Sequence, residues 1–135
     1  MVNLQTFVRK YSLLILSILG IVISIYLLIV HYSNIPIACP KTNFVNCDLV
    51  LKSSYAVLFG IPMPFYGIFF FLVALFFLNR IKILIWWLSI GILFVFYLLY
   101  TELFRLHVIC LWCTSVHIIV FIMFFISLIF HLFDP

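Results

Sequence analysis

Apolar positions dominate this chain in long runs separated by short polar stretches. The first run, residues 12–32, predicts a membrane-spanning helix, since roughly 20 apolar residues cross a hydrocarbon core about 30 Å thick. It is too long for the apolar part of a signal peptide and has no small-residue cleavage site behind it, so it is expected to stay in the mature protein. A polar stretch with Asn34, Pro40, Lys41, Asn46, Asp48 and Lys52 follows and forms the largest loop. Within it, Leu49 to Phe59 reads as a short amphipathic helix at the membrane interface, broken by Gly60-Ile61-Pro62-Met63-Pro64, with Pro64 suited to a first helical turn. The second run, residues 64–78, is short and aromatic and ends at Asn79-Arg80-Ile81-Lys82. The third returns over residues 83–100 and reaches as far as 104, with Ser89 and Gly91 as small residues where helices can approach closely. A nine-residue link, Thr101 to Ile109, leads to the fourth, residues 110–133.

Composition agrees with this pattern. Hydrophobic residues make up 69% and charged residues 7% of 135 positions, and mean hydropathy is +1.45, whereas an ordinary globular domain carries about 25% charged residues. The expectation is an all-α integral membrane protein: one domain over residues 1–135, built as a four-helix bundle with a cysteine loop and a short interfacial half-helix. The net charge of +4 is spread over both ends of the spans, which offers no patch for nucleic acid.

Four cysteines are present. Cys39 and Cys47 lie in the loop after the first run, and Cys110-Leu-Trp-Cys113 opens the fourth. In a four-span chain the first and third loops share a side, so both pairs face one compartment. Arg9, Lys10, Arg80 and Lys82 fall on the opposite side, against Lys41, Lys52 and Arg105 on the cysteine side. That distribution places the termini in the cytoplasm and the cysteines outside, where thiols that cycle through disulfides are expected.

A CxxC at a helix N-terminus meets unpaired N–H groups and the positive end of the helix dipole, which favour a thiolate and hence thiol–disulfide exchange. Either Cys110 or Cys113 can be the poised thiol. Two pairs suggest a relay in which the loop pair trades electrons with a soluble partner and the helix pair passes them to an acceptor in the membrane. Thr114 follows Cys113, so no CxxCH haem-attachment motif is present, and there is no dinucleotide or flavin fingerprint. A lipid-soluble quinone is the simplest two-electron acceptor. Blander readings of the same cysteines are inert packing thiols, a purely structural Cys39–Cys47 bridge, and a zinc site, which the spacing of the loop pair suits poorly.

His117 lies about 10 Å below Cys110 at 1.5 Å per residue, one turn below Cys113 on its face. An intramembrane histidine is costly and is a candidate donor to a quinone carbonyl; the plainer alternative is a histidine satisfied by a neighbouring helix. Glu102 and Arg105, three residues apart, read as a surface ion pair.

The run Cys47-Asp48-Leu49-Val50-Leu51-Lys52-Ser53-Ser54-Tyr55, then Leu58-Phe59-Gly60-Ile61-Pro62 and Phe65-Tyr66-Gly67, resembles the signature of the vitamin K epoxide reductase family in its prokaryotic, quinone-linked form. The Cys39–Cys47 spacing and the late CLWC agree, and the resemblance spans nearly the whole chain. It implies a four-helix bundle around a quinone, ubiquinone or menaquinone, capped by the cysteine loop. It further implies that Cys39 meets a partner thiol protein, Cys47 relays to Cys110, and Cys113 faces the quinone. Ser53, Tyr55, Phe59, Tyr66 and Phe70 match quinone-side positions. His117 stands where animal members carry a tyrosine that hydrogen-bonds the quinone, and Met63 where they carry an asparagine, departures that point away from epoxide chemistry. Many bacterial relatives fuse a thioredoxin-like domain after the bundle; this sequence ends at Pro135, so a separate DsbA-like protein of thioredoxin fold is the expected partner. Alternatives are reduction of vitamin K or its epoxide, a DsbB-type oxidase with the cysteine pairs in reverse order, and a metal- or haem-binding membrane subunit using Cys39, Cys47 and His117.

Overall fold

The structure is a computed structural model that describes residues 2–33, 43, 45, 49 and 57–133. Among these, four helices carry the fold: α1 Val2–Tyr32, α2 Met63–Phe76, α3 Ile81–Tyr100 and α4 Leu111–Phe133. A hairpin of β1 Val57–Leu58 and β2 Ile61–Pro62 precedes α2, and a π-helical segment, Thr101–Leu106, extends α3. Three of the helices, α1, α3 with its extension, and α4, are long and apolar enough to cross a membrane. The outward face confirms the setting: Trp86, Leu93 and Leu132 lie exposed on these helices, a surface suited to lipid and an association hazard in water.

The structure departs from the sequence reading at four places. α1 begins ten residues earlier than the apolar run and includes Arg9 and Lys10, whose long side chains can keep their charges at the interface while the helix continues. α2 has 14 residues and so spans only about 21 Å at 1.5 Å per residue, short of a full crossing. The end of the expected interfacial helix, Val57 to Phe59, is instead in the hairpin, where Val57 pairs with Pro62 and Leu58 with Ile61. Phe59 and Gly60 take φ of 55° and 79°, the left-handed pair of a two-residue hairpin turn. Residues 50–56 of that expected helix lie outside the described residues. The expected link of residues 101–109 is largely helical, because Thr101–Leu106 carries α3 onward in the wider i→i+5 winding.

Close approach at small residues assembles the bundle. The Phe71 ring of α2 lies over Gly20 of α1, and Ser24 of α1 faces Gly67 of α2. On the other side of α2, the Phe70 ring covers Gly91 of α3 and stacks on Trp87 with centroids 5.4 Å apart, while Trp87 Nε1–H donates to the Phe70 carbonyl at 2.9 Å. α4 closes on α1 through the Ser17 hydroxyl, which donates to Met123 Sδ at 3.8 Å, and through the Tyr26 and Trp112 rings, 5.0 Å apart. Helix association in lipid depends on such packing, because lipid tails are as apolar as the side chains they replace.

Candidate active site

The CxxC turn begins one residue ahead of the α4 span. Cys110 is fully buried and caps the helix: the Cys113 backbone N–H donates to Cys110 Sγ at 3.4 Å, and the Thr114 N–H and hydroxyl donate to the Cys110 carbonyl at 2.9 and 2.7 Å. A sulfur at this position accepts from a first-turn N–H that has no intrahelical carbonyl to receive it. The thiol hydrogen bond from Cys113, and then the backbone N–H groups of Cys113 and Trp112, hold the Cys110 thiol below its ordinary ionisation range, although burial and the Glu102 charge oppose them. Of the two thiols the sequence left open, Cys110 is the one whose sulfur accepts a backbone N–H at the start of the helix. Both are free thiols in this structure.

Cys113 is on the wall of a partly open cavity of about 320 Å³ lined by all four helices. Its sides are aromatic: Tyr66 and Phe70 from α2, Trp87 and Phe94 from α3. Tyr66 is turned by its hydroxyl, which donates to the Leu58 carbonyl at 2.8 Å and so ties the hairpin to α2. Polar groups converge near Cys113. His117, 5% exposed, and Glu102, 4% exposed, both line the cavity, and His117 Nδ1 and Glu102 Oε2 have no hydrogen-bond partner among the described residues. Leaving a buried polar group unpaired costs about 1–3 kcal/mol, more if charged. Two such atoms in one apolar cavity beside a thiol offer hydrogen-bonding positions to a ligand with polar groups at its edge.

The cysteine loop is anchored near this site. Val45 forms a parallel bridge with Ile109, the residue before Cys110. Cys39, Cys47, Ser53 and Tyr55 lie outside the described residues.

The sequence profile of the vitamin K epoxide reductase family matches residues 11–128. The chain belongs to the vitamin K epoxide reductase family. No match is found among curated proteins. Members of the family are membrane oxidoreductases, linked to quinones and acting on thiol partners. The cavity fits a quinone: a slot of aromatic rings for a planar head group, unpaired polar atoms at its edge, and a thiol at its wall.

Four residues singled out from the sequence, Tyr66, Phe70, Cys113 and His117, line this one cavity, with Met63 beside them. Cys110 caps the helix behind it. Phe59 is elsewhere: it forms the hairpin tip, 91% exposed, outside the described lining of the cavity. Glu102 is the residue the sequence reading misjudged. It makes no ion pair with Arg105, which is exposed, and it faces the cavity. A usable signal was there: the buried α3 positions 84, 88, 91 and 95 step by helical turns, and the same stepping reaches 102, so an acidic residue falls on the inner face of an apolar helix.

Proposed function

We propose that this protein reoxidises a separate extracytoplasmic thioredoxin-fold protein of the DsbA type, passing its electrons through Cys39 and Cys47 to Cys110 and Cys113 and then to ubiquinone or menaquinone. The observation that carries this reading is Cys113 on the wall of the aromatic cavity, three residues after a buried, helix-capping Cys110. In the proposed relay, the partner's dithiol attacks the Cys39–Cys47 disulfide at Cys39. Cys47, released from that bond, attacks Cys110 of the Cys110–Cys113 disulfide; the Cys47–Cys110 bond forms, the Cys110–Cys113 bond breaks, and Cys113 leaves as the thiolate facing the cavity. The Val45–Ile109 bridge supports the exchange. In the proposed exchange Cys47, two positions along the chain from the anchored Val45, comes within the roughly 7 Å between Cα atoms that a disulfide with Cys110 requires.

The cavity residues divide the remaining work. Phe70 and Trp87 hold a planar ring, His117 Nδ1–H donates to a carbonyl oxygen, and the surrounding apolar side chains exclude water. Ser53 and Tyr55 are assigned to the loop side of the same site. A bound quinone supplies a two-electron, two-proton acceptor. Four crossings, with α2 the shortest, would put both termini in the cytoplasm and both cysteine pairs outside.

The test is quinone reduction by purified protein with a reduced DsbA-like protein as donor, comparing wild type with Cys113→Ala. Turnover that disappears in the variant, together with a Cys47–Cys110 disulfide trapped in the Cys39→Ala/Cys113→Ala protein, is expected. Wild-type protein with intact thiols that reduces no quinone, or absence of the trapped bridge, refutes the relay.

A further inference from the structure

The relay leaves Glu102 without a task, although its position is an expensive one. Its side chain is buried and lines the same cavity as Cys113 and His117. The backbone is built around it: the Glu102 carbonyl accepts the Val108 N–H at 3.1 Å, the π-helical segment ends at His107 in the left-handed conformation, and the chain then turns directly into Cys110. The Cys110 amide donates to the Glu102 carboxylate, while Oε2 has no partner among the described residues. The carboxylate charge acts on both thiols of the pair. A glutamate kept ionised for structure alone would work against the chemistry, since a fixed negative charge opposes thiolate formation beside it.

We infer that Glu102 is the proton acceptor for the Cys110–Cys113 dithiol, its carboxylate taking the Cys113 thiol proton as the pair closes to a disulfide and releasing it on the cavity side. This inference deepens the proposed function and rests on that reading. Carboxylate plus thiol becomes carboxylic acid plus thiolate, so the charge inside the cavity does not change as Cys113 is activated. In the full step two S–H bonds break and one S–S bond forms. Two electrons pass from the pair to the quinone, which ends as hydroquinone. One of its protons is carried by Glu102, and the other is taken from the aqueous face, replacing the one Cys110 lost on ionising. Among the described residues, the titratable groups that share the cavity with Glu102 are Cys113 and His117 from α4 and Tyr66 from α2, whose hydroxyl donates to the Leu58 carbonyl; Cys110 adjoins it, and Arg105, on its own segment, is exposed.

The experiment pairs kinetics with a spectroscopic reading. Glu102→Gln keeps an acceptor for the Cys110 amide and removes the base. Its rate of quinone reduction is expected to fall about a hundredfold, the lower end of what a positioned proton-transfer group contributes, and the acid limb of the pH–rate profile is expected to vanish. Glu102→Ala should regain part of its rate when formate is added, which a purely structural role would not allow. Independently of activity, infrared difference spectra of quinone-free protein, dithiol minus disulfide, should contain a carboxyl C=O band that is absent in Glu102→Gln and shifts on labelling glutamate with heavy carbon. A Glu102→Gln protein with wild-type rate overturns the inference. So does a slow variant without formate rescue, combined with no carboxyl band in the wild type. Wild-type protein that shows the band but reduces no quinone upholds the pairing of Glu102 with the dithiol and overturns the acceptor in the proposed function instead.

Discussion

Gly20→Ala sets two opposing effects against each other. In a helix interior, alanine is favoured over glycine by about 1 kcal/mol. A Cβ at Gly20, however, would meet Phe71 Cε2 and Cζ at 2.5 Å and Cε1 at 2.7 Å, whereas ordinary contact begins at 3.4 Å. The ring must retreat by about 0.9 Å, the difference between 3.4 and 2.5. Phe71 is 0% exposed within the core, so the retreat displaces neighbours, and such overpacking costs about 1–3 kcal/mol. Helices inserted in lipid or detergent persist when their packing is lost, so the propensity gain is present on both sides of the unfolding equilibrium and largely cancels. The steric term wins, and Gly20→Ala is expected to destabilise the bundle by about 1–3 kcal/mol. The assay is reversible unfolding in mixed micelles, followed by tryptophan fluorescence, in the wild type and in a Phe71→Leu background. With the ring gone, the same substitution should change stability by no more than about 0.5 kcal/mol, giving a coupling well above the error of additivity. Equal effects in both backgrounds, or no effect in the wild type, would refute the steric account.

Two more expectations concern the site. Tyr66→Phe removes the hydroxyl that donates to the Leu58 carbonyl and should cost about 0.5–1.5 kcal/mol, read locally as faster amide exchange in the hairpin at residues 57–61; unchanged exchange there would show that the bond does not hold the hairpin. With Cys39 and Cys47 replaced by serine, the pH profile of Cys110 alkylation should move upward in Cys113→Ala, because the hydrogen bond that chiefly lowers the Cys110 thiol is lost. A raised ionisation range leaves less thiolate at neutral pH, so alkylation there should slow; a profile that stays in place or moves downward contradicts the assigned cause.

Much of the fold was legible because a bilayer imposes one simple rule, that apolar runs of sufficient length become helices. Gly91, chosen from the sequence as a point of close approach, does receive the Phe70 ring. What stayed hidden depends on geometry without a compositional mark. The wider winding of Thr101–Leu106 uses ordinary residues, and Glu102, Arg105 and His107 made the stretch look like a solvated link. The extension of α1 through Arg9 and Lys10 was obscured in the same way, because charged residues end a hydropathy run without ending a helix. Phe59 was read as part of an amphipathic helix, yet it adopts positive φ beside Gly60, a turn choice that bulky residues rarely make. Around the cavity, the spacing of Cys113 and His117 carried the information, since one helical turn aligns them, whereas the convergence of α2 and α3 on the same space had no local signal.

The bridge between Val45 and Ile109 also orders events during synthesis. Its partners are 64 positions apart in sequence, 109 minus 45, and a contact that distant must await the later segment. α1 and α2 can pack against each other as soon as they are inserted, but the loop cannot be anchored beside the CxxC turn until the chain has been translated past α3. A ribosome-bound intermediate thus holds Cys39 and Cys47 with no Cys110 to exchange with. In the proposed relay, onward transfer from Cys47 becomes possible only when the last helix has entered the membrane and brought Cys110 beside the loop anchor.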